Sequence, residues 1–195
     1  MNYLAHFQLA WPEEGLVVGA LEGDYLKGPL GGELPEPIEQ GVRLHRAIDA
    51  FTDQHPLMAE LRREFPPRLR RYAGILIDLS FDHYLSRHWS HYNSQQQADF
   101  KRTVYASLER NRQFLSPPAL RMYARMREHD LLGRYGEWET IPATAARIGE
   151  RFRRGNPFLQ ARDHLEPVRQ RLEQSFFDFY PELMDFCSRF KVRLN

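Results

Sequence analysis

The sequence has little of what secreted or membrane-bound proteins rely on. Cys187 is the only cysteine among 195 residues, so neither an internal disulfide nor a thiolate zinc cage can form. No run of about 18 apolar residues occurs, and a mean hydropathy of -0.61 argues against a membrane span. The first residues lack a basic segment ahead of apolar ones, so we expect no signal peptide. A soluble protein of the reducing cytoplasm is expected.

The chain also lacks an excess of charge of either sign. It carries 27 basic and 26 acidic residues, a formal net charge of +1. Nucleic-acid binders usually show a strong positive field, so we expect no nucleic-acid partner and no membrane partner. The length suits one hydrophobic core, and a single domain over residues 1–195 is predicted.

What is present is helix-forming sequence between turn signals. Segments rich in Leu, Ala, Arg, Glu and Gln alternate with Pro and Gly, and apolar residues between 70 and 91 follow i, i+3, i+4 steps. No stretch alternates with period two, so the fold is predicted to be all-α, a single compact multi-helix domain. Helices are predicted over residues 2–10, 15–27, 38–53, 57–64, 68–91, 95–114, 117–130, 140–153 and 163–192, with the last one broken near Pro181.

Two carboxylates stand out in the segment GILIDLSFDHYLSRHW. Asp78 and Asp82 are four residues apart and share a helical face with apolar side chains, where an unpaired carboxylate costs several kcal/mol. Each therefore needs a cation, a hydrogen-bond partner or a proton. His83 lies on the adjoining stripe. The structural alternative is a buried salt bridge to an arginine such as Arg87.

A second group of polar residues lies in GVRLHRAIDAFTDQHP. His45, Asp49 and Asp53 follow at i, i+4 steps, which lets an imidazole and a carboxylate point at one centre. Mixed oxygen and nitrogen ligands suit Mn²⁺, Mg²⁺ or Fe²⁺, and His6 and Asp24 could complete a metal cage. The alternatives are a surface pair for His45 and Asp49, a helix cap for Asp53, a core histidine for His6 and a turn cap for Asp24.

Arginine is concentrated in the stretch LRREFPPRLRR. Such a stretch is usually a solvated face, and the functional alternative is docking of an acidic protein. A further basic cluster shows the same ambiguity and comprises Arg147, Arg151, Arg153 and Arg154.

Four motifs together resemble the acyl carrier protein phosphodiesterase family: MNYLAH at the start, GD at 23–24, HRAIDAFTD at 45–53 and DLSFDHYLSRHW at 78–89. The family is distantly related to the HD-domain metal phosphohydrolases, so the resemblance implies an all-α fold and a divalent metal, commonly manganese. It implies as substrate the phosphodiester that joins 4′-phosphopantetheine to a serine of holo acyl carrier protein. The sequence departs from the pattern in two ways: the adjacent His-Asp pair is replaced by His45-Arg46 and by the reversed Asp82-His83, and Gln8 stands where some relatives have His.

With this resemblance, the residues predict a metal-dependent phosphodiesterase. His83 is predicted to protonate the serine oxygen or orient the water, and Arg46 to neutralise the nonbridging oxygens. One or two divalent ions are predicted to be held by Asp24, His45, Asp49, Asp78, Asp82 and His6. The acidic carrier protein is predicted to be received by Arg62, Arg63, Arg68, Arg70 and Arg71.

Other functions remain open at this stage. The same metal cage could serve an HD-like phosphohydrolase acting on a nucleotide. The His and Asp groups could instead be structural pairs in a non-catalytic helical binding module, and a haem oxygenase-like enzyme is a more remote alternative.

Overall fold

The computed structural model describes residues 1–194, and within them the chain is all-α, as predicted. The 12 α-helices are α1 (Tyr3–Ala10), α2 (Glu14–Glu22), α3 (Glu36–Gln54), α4 (Pro56–Glu64), α5 (Ala73–Arg87), α6 (Trp89–Tyr92), α7 (Gln97–Arg110), α8 (Pro117–Glu128), α9 (Leu131–Arg134), α10 (Thr140–Gly149), α11 (Ala161–Leu165) and α12 (Arg169–Val192). Single turns of 3₁₀ helix occur at Arg112–Phe114 and Glu166–Val168. No helix in this part of the chain is long and apolar enough to cross a membrane.

Helix α5 is the central element. Its side chains are buried on almost every side, as expected for a helix that is apolar around most of its circumference. It contacts α1, α4, α10 and α12, and the buried apolar residues form one continuous core. Because the core surrounds α5, its polar residues are held among packed neighbours.

Helices α2 and α3 cross at very short range. A Cβ atom added at Gly19 would lie 2.2 Å from the carbonyl oxygen of Ile38, and one added at Gly41 would lie 2.6 Å from that of Leu16. Only glycine lets the two backbones approach this closely. The crossing sets the end of α2 against the middle of α3, where His45 lies.

Several predicted helix boundaries were wrong. The helix predicted over 68–91 begins only at Ala73, after a series of turns, and ends at Arg87 before the separate α6. The helix predicted to reach residue 27 ends at Glu22. The short α9 was not predicted, and α11 precedes α12 as a separate turn.

The break expected near Pro181 was also wrong, since α12 runs without interruption from Arg169 to Val192. Proline removes one helical hydrogen bond, but the flanking Phe179, Tyr180 and Leu183 are buried. Tyr180 also donates a 2.8 Å hydrogen bond to the side chain of Gln8 on α1. Packing on both sides of the proline therefore outweighs the lost bond.

Candidate metal centre and adjoining cleft

Three potential metal ligands converge from two helices. His6 lies on α1, and His45 and Asp49 lie one turn apart on α3. Nε2 of His6 lies 3.2 Å from Oδ1 of Asp49, and Nε2 of His45 lies 3.2 Å from Oδ2 of the same carboxylate. The two imidazole rings stack with centroids 4.1 Å apart, and one ligand atom from each residue lies within 4.8 Å of the others. These three residues are called the ligand triad below.

The orientation of His45 gives the triad its chemical character. Its Nδ1 lies 2.8 Å from the carbonyl oxygen of Ala20, which can only accept a hydrogen bond, so Nδ1 carries a proton. In the neutral ring, Nε2 is then an unprotonated acceptor facing the Asp49 carboxylate. Two acceptors at this separation require a proton or a metal cation between them. A ring held through its other nitrogen by a backbone carbonyl is the usual arrangement of a metal-bound histidine, so the donor set fits a divalent metal.

Burial and neighbouring groups keep His6 and Asp49 in the protonation states that metal binding requires. Burial, together with His45, lowers the pKa of His6 to about 3, so His6 is neutral at pH 7. Burial alone would raise the pKa of Asp49, but the hydrogen bond from His6 and the charge of the Met1 amino group hold this pKa well below its usual range. Nδ1 of His6 is buried and has no hydrogen-bond partner among residues 1–194, whereas Nε2 of the same ring lies 3.2 Å from Asp49.

Two further predicted ligands lie beside the triad. Asp24 places Oδ1 3.7 Å from Nε2 of His45. Asp78 contacts the amino group of Met1 at 3.0 Å, and that nitrogen lies 4.0 Å from Oδ1 of Asp49. Burial raises the pKa of the Asp78 carboxyl. A positive charge is thus held between Asp78 and Asp49, at the edge of the triad.

The structure does not bring Asp82 to the triad. Its Oδ2 accepts the backbone N–H of Leu4 at 2.7 Å, and Oδ1 accepts those of Asn2 and Ala5, both at 3.3 Å. The residue is fully buried, and burial raises its pKa to about 7 despite these bonds. Asp82 therefore anchors the beginning of α1, the helix that carries His6, and the salt bridge considered from the sequence is not what satisfies it.

His83, which was predicted to protonate the serine oxygen or orient the water, also lies apart from the triad. Its Nδ1 donates to the carbonyl oxygen of Tyr135 at 2.7 Å, and its ring contacts those of Tyr84 and Trp138. Burial lowers its pKa to about 4. Asp53, expected to cap a helix, instead pairs with Arg62 at 2.6 Å.

Two depressions flank the triad. The first, called the arginine cleft, has a volume of about 290 Å³ and reaches His6, Asp24 and Asp78. Its walls include the apolar side chains of Ile75, Met122, Leu131 and Ile148 and the guanidinium groups of Arg125, Arg134, Arg147 and Arg151. These four arginines are called the cleft arginines.

The second depression, of about 250 Å³, has Asp24 in common with the first and is lined by His45, Asp49, Lys27 and Arg46. Arg46 donates one hydrogen bond to the carbonyl oxygen of Leu26 at 2.9 Å. This bond holds the Arg46 side chain at the depression while other guanidinium N–H groups remain for a ligand. His83 lines neither depression.

The arginines of residues 62–71 lie away from both depressions. Arg62 pairs with Asp53, Arg68 reaches Gln160 at 3.3 Å and Arg71 lies over the ring of Tyr72 at 4.4 Å. Arg70 donates to the carbonyl oxygens of Phe65 and Arg63 at 3.1 and 3.3 Å. The stretch is therefore partly engaged within its own turns, although Arg63, Arg68, Arg70 and Arg71 are all exposed.

Sequence reasoning missed the arginine cleft. Its residues come from α5, α8, α9 and α10, and no local spacing connects them. The sequence places Arg147 and Arg151 in a basic cluster, and its local pattern indicates nothing about Arg125 and Arg134. The one local signal is the basic cluster at residues 147–154, which does not locate a site.

The fold and the site define an all-helical protein with a candidate divalent-metal centre beside an arginine-lined cleft. A family model described as acyl carrier protein phosphodiesterase matches residues 1–183. The chain belongs to the acyl carrier protein phosphodiesterase family, which confirms the resemblance seen in its motifs. The relation to HD-domain proteins stays a prediction.

Curated relatives agree with the family model. An acyl carrier protein phosphodiesterase of Escherichia coli O45:K1 is 31% identical over 194 residues, covering 97% of this chain and 98% of the relative. One from Klebsiella pneumoniae subsp. pneumoniae is 32% identical over 185 residues, covering 94% and 96%. No solved structure matches the chain significantly.

Proposed function

We propose that this protein hydrolyses the phosphodiester between 4′-phosphopantetheine and the serine of holo acyl carrier protein, giving apo carrier protein and 4′-phosphopantetheine. The family supports the reaction class and substrate. The observation that carries the chemistry is the His45 ring, whose Nδ1–H is taken by Ala20 while Nε2 faces Asp49. We place the reaction in the cytoplasm, where a lone thiol such as Cys187 stays reduced.

We propose His6, His45 and Asp49 as ligands of a divalent metal, with Asp24 and Asp78 close enough to act beside them. Two imidazoles with one carboxylate suit Mn²⁺ or Fe²⁺ better than Mg²⁺, which prefers oxygen ligands alone. Held by these three residues, a divalent ion would supply Lewis-acid chemistry for hydrolysis of the phosphodiester.

The chain's own residues supply orientation and charge. Ala20 fixes the ring of His45 through its carbonyl, so the ring cannot turn without losing a hydrogen bond. Arg46 lies in the second depression with guanidinium N–H groups to spare, which suits it to pair with nonbridging oxygens. We assign no chemical step to His83, because it lines neither depression.

Docking of the carrier protein on Arg62, Arg63, Arg68, Arg70 and Arg71 stays a prediction. Arg63 and Arg68 are both exposed. Reversing both to Glu should raise KM with a smaller change in kcat, because electrostatic steering acts before the chemical step. The effect should fade with added salt. A KM unchanged at low salt would leave the stretch as a solvated face.

The reaction is tested by incubating the protein with holo acyl carrier protein and Mn²⁺ and following loss of the prosthetic group by mass spectrometry. Chelation should stop the reaction, and metal analysis should find stoichiometric metal in the untreated protein. A nucleotide panel in the same buffer serves as the competing substrate class. Faster turnover of any nucleotide than of holo carrier protein would overturn the proposed substrate.

The ligand triad is tested by His45→Gln and Asp49→Asn. Each should lose bound metal and nearly all activity, since each removes one ligand. His129→Gln is the matched control, because His129 is an exposed histidine outside both depressions. Full activity of His45→Gln with undiminished metal content would refute the triad.

A further inference from the structure

The arginine cleft carries more positive charge than the protein itself uses. Other arginines nearby make ion pairs: Arg127, on the same helix as Arg125, pairs with Glu109, and Arg162 on α11 pairs with Glu139. The cleft arginines make no ion pair and no side-chain hydrogen bond with any of residues 1–194. Four guanidinium groups from three helices and one adjoining turn thus line one cleft with their donors free.

Like charges that gather without partners repel one another, and this cost is offset when an anion binds. Guanidinium groups match the geometry of phosphate oxygens and can bind them through paired N–H groups. The only carboxylates lining this cleft are Asp24 and Asp78, at its triad end. The four cleft arginines outnumber these two carboxylates, so the cleft is suited to an anion.

Much of the remaining wall is apolar. Ile75, Met122, Leu131 and Ile148 contribute side chains from α5, α8, α9 and α10. A free phosphate ion gains nothing from such walls, whereas methylene and methyl groups gain free energy by leaving water. The volume of about 290 Å³ matches the low end of small-molecule pockets and cannot admit a folded protein surface.

We propose that the arginine cleft is the binding site for the 4′-phosphopantetheine moiety of the substrate, and that it also holds this product after hydrolysis. The phosphate lies where the cleft meets the triad, so that the cleft arginines add to the charge that Arg46 offers it, and the apolar walls contact the pantetheine arm. The second depression then remains for the serine side of the bond. The inference rests on the proposed function, because that function supplies the identity of the ligand.

Binding of the isolated product tests the cleft without requiring catalysis. Isothermal titration with 4′-phosphopantetheine is carried out on the full chain after metal removal, so that phosphate–metal contacts do not contribute. Pantetheine and inorganic phosphate are titrated in parallel. We expect 4′-phosphopantetheine to bind more tightly than pantetheine or inorganic phosphate, because it alone contacts the cleft arginines and the apolar walls together. Phosphate binding as tight as 4′-phosphopantetheine binding would reduce the cleft to an anion site and overturn the proposal.

The arginines are tested by the pair Arg125→Gln/Arg151→Gln. Loss of two charge-assisted contacts should raise Kd for 4′-phosphopantetheine on the order of tenfold or more. The matched control is Arg121→Gln/Arg153→Gln, which removes the same charge from the same helix and the same turn but not from the cleft. The control Kd should stay within about twofold of wild type, since exposed charges outside the cleft are screened. Equal losses in both pairs would overturn the proposal.

Two further variants test the arginines and the apolar wall of the cleft separately. If Arg125→Gln/Arg151→Gln fails to fold, Arg134→Gln/Arg147→Gln replaces two exposed cleft arginines and should give the same loss. Ile148→Asn should weaken 4′-phosphopantetheine binding while leaving phosphate binding unchanged. Wild-type hydrolysis of holo carrier protein is scored separately. Absent hydrolysis refutes the proposed function, whereas unchanged product binding by the cleft variants refutes only the cleft.

Discussion

Replacing Gly23 by alanine should damage the candidate metal centre, although neither glycine nor alanine has a functional group in its side chain. Gly23 follows the last residue of α2 and lies against the ring of His45. A Cβ atom there would lie 2.2 Å from Cγ, 2.5 Å from Cδ2 and 2.6 Å from Cβ of His45. Gly23 has helical dihedral angles, so without these contacts Gly→Ala would be expected to stabilise the fold by about 0.4–1 kcal/mol. Because of these contacts, the structure instead predicts that Gly23→Ala destabilises the fold.

The size of the expected losses in stability and activity follows from how far the added Cβ atom overlaps the ring of His45. Carbon atoms pack best at about 3.5–4.0 Å, so the ring or the end of α2 must move by roughly 1 Å. Overpacking of this kind costs about 1–3 kcal/mol of unfolding free energy. A displacement of about 1 Å at a reacting centre can reduce the rate on the order of 10²-fold. The His45 ring is also tied to Ala20, so moving it strains that hydrogen bond.

Gly31→Ala is the matched control, since nothing lies within 4 Å of an added Cβ and its backbone is not in the left-handed region. Both variants are compared with wild type for thermal midpoint, bound metal per chain and kcat/KM on holo carrier protein. Gly23→Ala should lower all three, and Gly31→Ala should change none appreciably. A Gly23→Ala protein indistinguishable from Gly31→Ala would refute the required position of the His45 ring.

Three other predictions concern the fold. Asp82→Asn should lower the free energy of unfolding by about 2–4 kcal/mol, because an amide cannot accept all the N–H groups at the start of α1. Denaturant unfolding measures this loss, and an unchanged midpoint concentration of denaturant would contradict the anchoring role. Cys187 is buried, and burial raises its pKa to about 12, so at pH 8 a thiol reagent should label the folded protein at least about 10³-fold more slowly than the unfolded chain. Pro181→Ala should raise the thermal midpoint, since an exposed position inside α12 regains a helical N–H donor; no gain would favour the broken helix.

Local pattern was sufficient for the helical class and for part of the site. Apolar steps of three and four residues predict helices, and they identify α5 as buried because they leave few exposed positions. The spacing of His45 and Asp49 places them on one face of α3, and the structure finds them in contact at 3.2 Å. Both features depend only on residues within one helix.

Features that depend on several elements could not be read in this way. His6 joins the triad only because α1 packs against α3, and nothing near His6 in the sequence indicates that neighbour. The cleft arginines come together only through the arrangement of three helices and a turn. The uninterrupted α12 depends on burial of Tyr180 and its neighbours, whereas local propensity alone predicts a break at Pro181.

The pair Asp78 and Asp82 shows how one spacing can serve two different purposes. Four residues apart on α5, both reach towards the beginning of α1, but they meet different parts of it. Asp82 meets backbone N–H groups that have no helical partner, and Asp78 meets the amino group of Met1 at the edge of the triad. Helical spacing fixes only that two side chains share a face. Since α1 carries His6, both carboxylates influence the ligand triad by holding this helix, and a loss of metal on changing either one would follow even without a direct metal bond.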